Sequence, residues 1–132
     1  MMTQITETTR KTLKPGDIIR VALDPTVGSE TQKTRPAIVL TEEQLNSVSR
    51  TVVVVPLTSG TGSIMRLFPQ VDPTQNDCNA HGTAILTQMR GLDPVARGAE
   101  LIGAITDQAL LDSIRLHLAA MLGITLNLLD PV

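Results

Sequence analysis

Two residues that can bind a phosphate group together stand at the ends of apolar runs in this 132-residue sequence. Arg35 precedes Pro36 where a long polar loop re-enters an apolar run, and Thr58 ends the run that contains four consecutive valines. A guanidinium can bridge two phosphate oxygens, and a neighbouring hydroxyl can donate a third hydrogen bond. Proline disfavours helical backbone in the residue before it, so Arg35 is expected to be extended. The pair favours a phosphate site if the two ends meet.

Gln88 and Arg90 place an amide and a second guanidinium at the end of another predicted strand. In a bent antiparallel sheet, these side chains could share one rim with Arg35 and Thr58. Each residue also has an ordinary explanation: an arginine before a proline is usually a surface charge, a threonine after a strand a turn residue, and a strand-end glutamine solvated. From the residues alone, both interpretations stay open.

Other familiar sites find no support. The sequence has no phosphate loop with its lysine, no serine elbow, and no HExxH or CxxC motif. His81 and His117 are far apart, and we interpret them as a turn residue and a partly exposed helix residue. Cys78 is the only cysteine, so no disulfide framework or cysteine-based metal site is possible within the chain. We predict a site without a metal or a cofactor.

The composition limits the class of protein. With 42% hydrophobic and 18% charged residues, the chain is expected to form one globular domain. It has one Phe and no Trp or Tyr, so it lacks the aromatic platforms on which single-strand nucleic-acid modules stack bases. A net charge of −2 argues against a DNA-coating protein, although local basic patches remain possible. No run is long enough to span a membrane and the N-terminus lacks a signal core, so we predict the cytoplasm.

The periodicity predicts a mainly β (α+β) protein with a small bent sheet or half-open barrel. The predicted strands are Ile18 to Leu23, Ala37 to Leu40, Thr51 to Pro56, Met65 to Val71, Thr83 to Met89 and Leu101 to Ile105. β-branched valines make Thr51 to Pro56 the clearest strand, buried on both faces. Pro69 places the fourth predicted strand at a sheet edge.

Helices and chain ends complete this organisation. Thr41 is expected to cap a short helical turn, and Thr106 to cap one long helix that ends near a left-handed Gly123. We divide the chain into a flexible leader, 1–14, and a single domain, 15–132. The apolar residues 124–132 are expected to pack on the domain or at a dimer contact.

Three segments together resemble the MazF/PemK family of type II toxins: LDPTVGSETQKTRPAIVL, VVVVPLTS and TQMRGLD, followed by a helix ending in LGI. The resemblance covers residues 15–124. It implies an SH3-like small β-barrel (CcdB/MazF/PemK-like) with a long C-terminal helix, a homodimer, and a metal-independent endoribonuclease that cleaves single-stranded mRNA but not DNA. It also implies a cognate antitoxin protein whose C-terminal segment occupies the active groove.

Carried over residue by residue, the resemblance makes Arg35 and Thr58 the catalytic pair. The residues expected to bind RNA are Glu30, Lys33, Gln88 and Arg90. Many relatives have an acid directly before the Gln of the QxR element, where this chain has Thr87. A threonine hydroxyl is a poor general base near neutral pH, so the base stays unassigned.

Two alternatives remain beside the nuclease. One is a non-catalytic toxin that binds a protein target, as CcdB-like gyrase poisons do on a similar fold, and the other is a degenerate member that acts by protein binding. The pairing of Arg35 with Thr58 favours the nuclease, whereas Thr87 in place of an acid weighs the other way.

Overall fold

The structure is a computed structural model that describes residues 3–23, 34–59, 67–77 and 80–125. In these ranges the strands are β1 (Thr3–Gln4), β2 (Asp17–Ala22), β3 (Thr34–Val39), β4 (Val52–Thr58), β5 (Gln70–Val71), β6 (Gly82–Ala84), β7 (Arg90–Leu92) and β8 (Glu100–Ala104). The helices are α1 (Glu7–Arg10), α2 (Glu43–Asn46) and α3 (Gln108–Met121), and 3-10 turns lie at Pro73–Gln75 and Leu86–Gln88.

The described strands form one antiparallel sheet in the order β1-β8-β2-β3-β4-β6-β5, with β7 also paired with β4. This sheet with its C-terminal helix confirms the predicted fold class. β1 and β5 stand at the two ends of the strand order, so the described strands form an open sheet and not a closed barrel. β5 is much shorter than the predicted strand, and it does lie at an edge.

The β4 strand lies at the centre of this arrangement. One edge pairs with β3, and the other pairs first with β7 at Val52–Val54 and then with β6 at Leu57 and Thr58. Val54 and Val55 are both fully buried although they point to opposite faces. The predicted strand with two buried faces is therefore confirmed, and it extends to Thr58.

Two hydrophobic cores lie on opposite faces of the sheet, because neighbouring strand residues alternate between them. The first core consists of Ile5, Leu13, Ile19, Val21, Leu23, Ala37, Val39, Val52, Val54, Leu92 and Ala99. The second core consists of Ile18, Ile38, Val55, Leu57, Val71, Ala80, Ala84, Leu86, Ile105, Leu111 and Ile114. Leu111 and Ile114 come from α3, so the long helix covers the second face.

The segment that was expected to be a flexible leader is packed from residue 3 onward. β1 pairs with β8, and Ile5 and Leu13 are 2% and 1% exposed in the first core. The Arg10 guanidinium is buried and donates to the carbonyls of Asn46 (2.9 Å) and Ser49. The prediction missed this packing because Ile5 and Leu13 are isolated apolar residues in a polar stretch and show no periodicity. Each nevertheless packs against residues that are distant in sequence.

Thr41 does not cap α2, contrary to expectation. Glu42 is the N-cap residue and makes no side-chain capping bond. The Thr41 hydroxyl instead donates to Asn46 Oδ1 (2.6 Å), while Asn46 Nδ2 donates to the carbonyls of Leu13 and Thr41 (2.8 Å each). The fully buried Asn46 thus ties the N-terminal segment to α2.

The predicted strand from Thr83 to Met89 is broken. β6 ends at Ala84, which pairs with Leu57, and the next strand begins at Arg90, which pairs with Val54. The three-residue advance from Val54 to Leu57 of β4 is therefore spanned by a six-residue advance, from Ala84 to Arg90, on the neighbouring segment. The 3-10 turn Leu86–Gln88 takes up the additional residues.

The α3 helix has the predicted position but a different N-cap. Asp107, not Thr106, caps it by accepting from the backbone N–H groups of Ala109 and Leu110. At its end Gly123 has a φ of +73°, and Ile124 N donates to Ala119 O (2.8 Å), which confirms the left-handed cap.

None of the helices in the described ranges is long and apolar enough to cross a bilayer. Residues 126–132 of the apolar tail lie outside the described residues.

Gly82 lets β6 approach the end of β4. Its φ is +130°, and an added Cβ would lie 2.5 Å from the Thr58 carbonyl oxygen and 2.9 Å from its carbonyl carbon. We predict that Gly82→Ala lowers the free energy of unfolding by about 2–5 kcal/mol, from backbone strain and overlap together.

Gly123→Ala is the matched control for this substitution. Gly123 also has a positive φ, but no heavy atom lies within 4 Å of an added Cβ, so the strain alone should cost about 1–2 kcal/mol. Urea denaturation of both variants measures the difference. Equal losses would contradict a steric role of Gly82 against Thr58.

Asp17 gives the fold a pH dependence. Burial raises the pKa of its carboxyl, although the backbone N–H of Lys14, which donates to Oδ2 (3.0 Å), and the nearby Lys14 ammonium lower it. As pH rises from the unfolded-state pKa of 3.8 to the raised folded-state pKa, the unfolded chain releases this proton first. The residue's contribution to stability is therefore greatest at low pH and is lost over that window.

Asp17→Asn removes this titration and keeps an oxygen that can accept from Lys14. We predict that the difference in unfolding free energy between variant and wild type shifts in the variant's favour as pH rises through the window. Urea denaturation of both proteins at a series of pH values measures it. A difference that is flat with pH would contradict the assignment.

Candidate active site

Arg35 is the second residue of β3, where it pairs with Val21 of β2. Its side chain is exposed, and it makes no hydrogen bond or ion pair with any residue in the described ranges. Pro36 follows and pairs with Arg20. The backbone of Arg35 is thus fixed by the sheet while its guanidinium remains available to a ligand at the rim of the first core.

Thr58 is the last residue of β4 and pairs with Thr83. β3 and β4 pair Ala37 with Pro56, and the same register continued by two residues aligns Arg35 with Thr58. Opposed residues of antiparallel strands point to the same face of the sheet. The topology therefore brings the two predicted catalytic residues to one end and one face of adjacent strands.

Arg90 opens β7, where it pairs with Val54. It is half-buried, and Nη1 donates to the carbonyl of Leu23 just beyond β2. The residue predicted to bind RNA is therefore already engaged with the backbone through one nitrogen.

Gln88 is exposed at the end of the 3-10 turn, and its neighbour Thr87 is also exposed. The expectation that Gln88 and Arg90 close one strand with Thr83 is wrong, since the turn separates Gln88 from both strands. The side chain of Gln88 makes no hydrogen bond with any described residue, so its amide is available to a ligand.

Glu30 and Lys33 lie outside the described residues. β2 ends at Ala22, and β3 begins at Thr34, which pairs with Ala22.

Arg97 is a residue of this region that the sequence analysis did not single out. Its Nη1 donates to the carbonyl of Ala22 (2.7 Å) and, at 3.5 Å, to that of Leu23. Its position in a turn after Asp93 gives no signal of this contact, since 75 residues separate it from Ala22.

In the described part of the chain, no three His, Cys, Asp or Glu side chains are grouped so as to hold a metal ion.

Fold and site define a class of protein: a small, open antiparallel domain that presents a guanidinium and a hydroxyl from adjacent strand ends. A family model described as a PemK-like, MazF-like toxin of type II toxin-antitoxin system matches residues 14–122. The chain therefore belongs to the PemK/MazF toxin family, which confirms the resemblance found in the sequence.

Individual relatives agree with this assignment. The chain is 34% identical over 95 residues to endoribonuclease PemK of Escherichia coli, covering 72% of this chain and 71% of that protein. It is 36% identical over 95 residues to endoribonuclease toxin ChpB of Escherichia coli (strain K12), covering 70% and 80%. The fold is similar to that in a MazE-MazF crystal structure (form II) from Deinococcus radiodurans, with a TM-score of 0.74, 23% identity, and coverage of 86% and 98%.

Proposed function

We propose that this toxin is an endoribonuclease that cleaves single-stranded RNA without a metal ion. The observation that carries the proposal is the register of β3 with β4, which pairs Ala37 with Pro56 and, continued by two residues, aligns Arg35 with Thr58. The named activity of the PemK and ChpB relatives supports the same reaction class. DNA is not a substrate, because the proposed nucleophile is the ribose 2′-hydroxyl.

In this reaction the 2′-oxygen attacks the adjacent phosphorus and the bond to the 5′-oxygen breaks. The products are a 2′,3′-cyclic phosphate and a 5′-hydroxyl end. The 2′-hydroxyl loses a proton and the leaving 5′-oxygen gains one, so the step is balanced without a cofactor.

Arg35 and Thr58 have distinct tasks. The Arg35 guanidinium neutralises the charge that develops on the phosphorane oxygens. The backbone pairing of Arg35 with Val21 supports this assignment. The Thr58 hydroxyl donates to a phosphoryl oxygen. Gln88, Arg90, Glu30 and Lys33 are assigned to RNA binding, and the general base is left open because Thr87 is too weak a base.

We predict that Arg35→Ala lowers kcat for a single-stranded RNA by about 10²–10³, the typical loss for one preorganised donor. Thr58→Val, which removes the hydroxyl at constant shape, should lower kcat by a similar factor. Cleavage is measured in EDTA, with an RNA that carries a single 2′-deoxy nucleotide at the cleaved position as the uncleavable substrate.

Arg115→Ala is the matched control, because Arg115 is an exposed arginine on α3 that pairs with Glu42 (3.5 Å). It should leave kcat unchanged, and circular dichroism should show that all variants are folded. A requirement for added divalent metal, or full activity of Arg35→Ala, would overturn the mechanism. Wild-type protein that cleaves no RNA would redirect the function to protein binding.

A homodimer and a cognate antitoxin are the proposed partners. Leu111 and Ile114 of α3 are buried, whereas Met121 and Leu122 at its C-terminal end are 38% and 55% exposed. Exposed apolar residues at the end of a helix are suited to an interface. The antitoxin would place its C-terminal segment in the groove that holds RNA, as the family resemblance implies.

We predict that light scattering at micromolar concentration gives twice the chain mass of 14.1 kDa. The physical reason is burial of the apolar end of α3 and the residues that follow it. Leu122→Glu should shift the mass toward one chain without changing the circular dichroism spectrum. A wild-type mass of 14.1 kDa would contradict the dimer.

A further inference from the structure

Two arginines, one in β7 and one in the turn that follows it, hold the same end of β2. Arg97 Nη1 donates to the carbonyl of Ala22 at 2.7 Å, and Arg90 Nη1 donates to the carbonyl of Leu23. We name Arg90 and Arg97 together the β2 clamp. Ala22 and Leu23 are 4% and 6% exposed, so their carbonyls have little access to water and need protein donors.

The donors of the β2 clamp are charged guanidinium groups, although neutral donors would also satisfy the carbonyls of Ala22 and Leu23. Hydrogen bonds from a guanidinium are stronger than those between neutral groups. Neither arginine forms an ion pair with a carboxylate in the described ranges. Their described polar contacts are therefore to the backbone, and they fix its position.

The clamped residues are the ones next to the site. Ala22 pairs with Thr34 and Val21 pairs with Arg35, so the end of β2 is the backbone support of Arg35. β2 and β3 have no further pair beyond Ala22 and Thr34 among the described residues. The Arg97 hydrogen bond to Ala22 thus supports the last pair before Arg35.

We propose that Arg97 is a positioning residue for RNA cleavage, acting through the Ala22 carbonyl and the β2–β3 pair on Arg35. This inference rests on the proposed function. The described hydrogen bonds of Arg97 run from Nη1 to the two carbonyls at the end of β2, so we expect its loss to change kcat and to leave RNA affinity as in wild type. The proposal thus separates Arg97 from a residue that contacts phosphate directly.

Arg97→Met tests this, because it keeps a long apolar side chain and removes the donors. A misplacement of about 1 Å in catalytic geometry can cost about 10² in rate, so we expect kcat to fall between about 10-fold and 100-fold. KM for RNA and the dependence of RNA affinity on salt should stay as in wild type. Hydrogen exchange should become faster in peptides that cover Ala22 and Thr34.

Two further variants support the comparison. Arg97→Lys should recover part of kcat, because an ammonium can still donate to the Ala22 carbonyl. Arg115→Met, on the exposed face of α3, should change none of these quantities. If Arg97→Met does not fold, Arg97→Gln keeps a polar amide near the buried carbonyls and is judged by the same criteria.

The outcomes are distinct. A folded Arg97→Met protein with wild-type kcat overturns the inference. A rise in KM alone, with the slope of log affinity against log salt concentration smaller by about one, also overturns it, because this result indicates that Arg97 contacts a phosphate directly. Wild-type protein that cleaves no RNA refutes the proposed function instead. A kcat loss with unchanged KM, unchanged salt slope and faster exchange at Ala22 and Thr34 supports the inference.

Discussion

The burial of β4 on both faces and the pairing of both its edges are the constraint on which the remainder of the structure depends. Because side chains alternate along a strand, a slip of one residue would exchange the two hydrophobic cores. The register with β3, which pairs Ala37 with Pro56, is therefore fixed, and continued by two residues it aligns Arg35 with Thr58. The opposite edge is fixed in the same way, and it brings Arg90 to the level of Val54.

The candidate site uses this rigidity by placing its polar groups where the strands end. Arg35 is exposed, but its backbone belongs to the sheet, so binding of an anion does not require its backbone to be ordered. Around it, the supporting contacts are made to backbone atoms: Gly82 allows close approach to Thr58, and Arg97 binds the carbonyl of Ala22.

The N-terminal segment shows how far the packed domain extends. The family match begins at residue 14, yet the chain is already part of the sheet at Thr3. Buried polar groups make this junction specific, since Asn46 satisfies carbonyls from both sides and Arg10 binds the turn that follows α2. A buried amide is costly unless its hydrogen bonds are made, so the contacts of Asn46 admit few alternative packings.

The sequence by itself determined the local features and the family. Four valines specify the central strand, Pro36 specifies extended backbone at Arg35, and Gly123 specifies the end of α3, because each depends on the conformational preference of one residue type. Only the tertiary structure decided the packing of residues 3–14, the break between β6 and β7, and the contact of Arg97 with Ala22. These features depend on contacts between residues far apart in sequence, and local periodicity carries no information about such contacts.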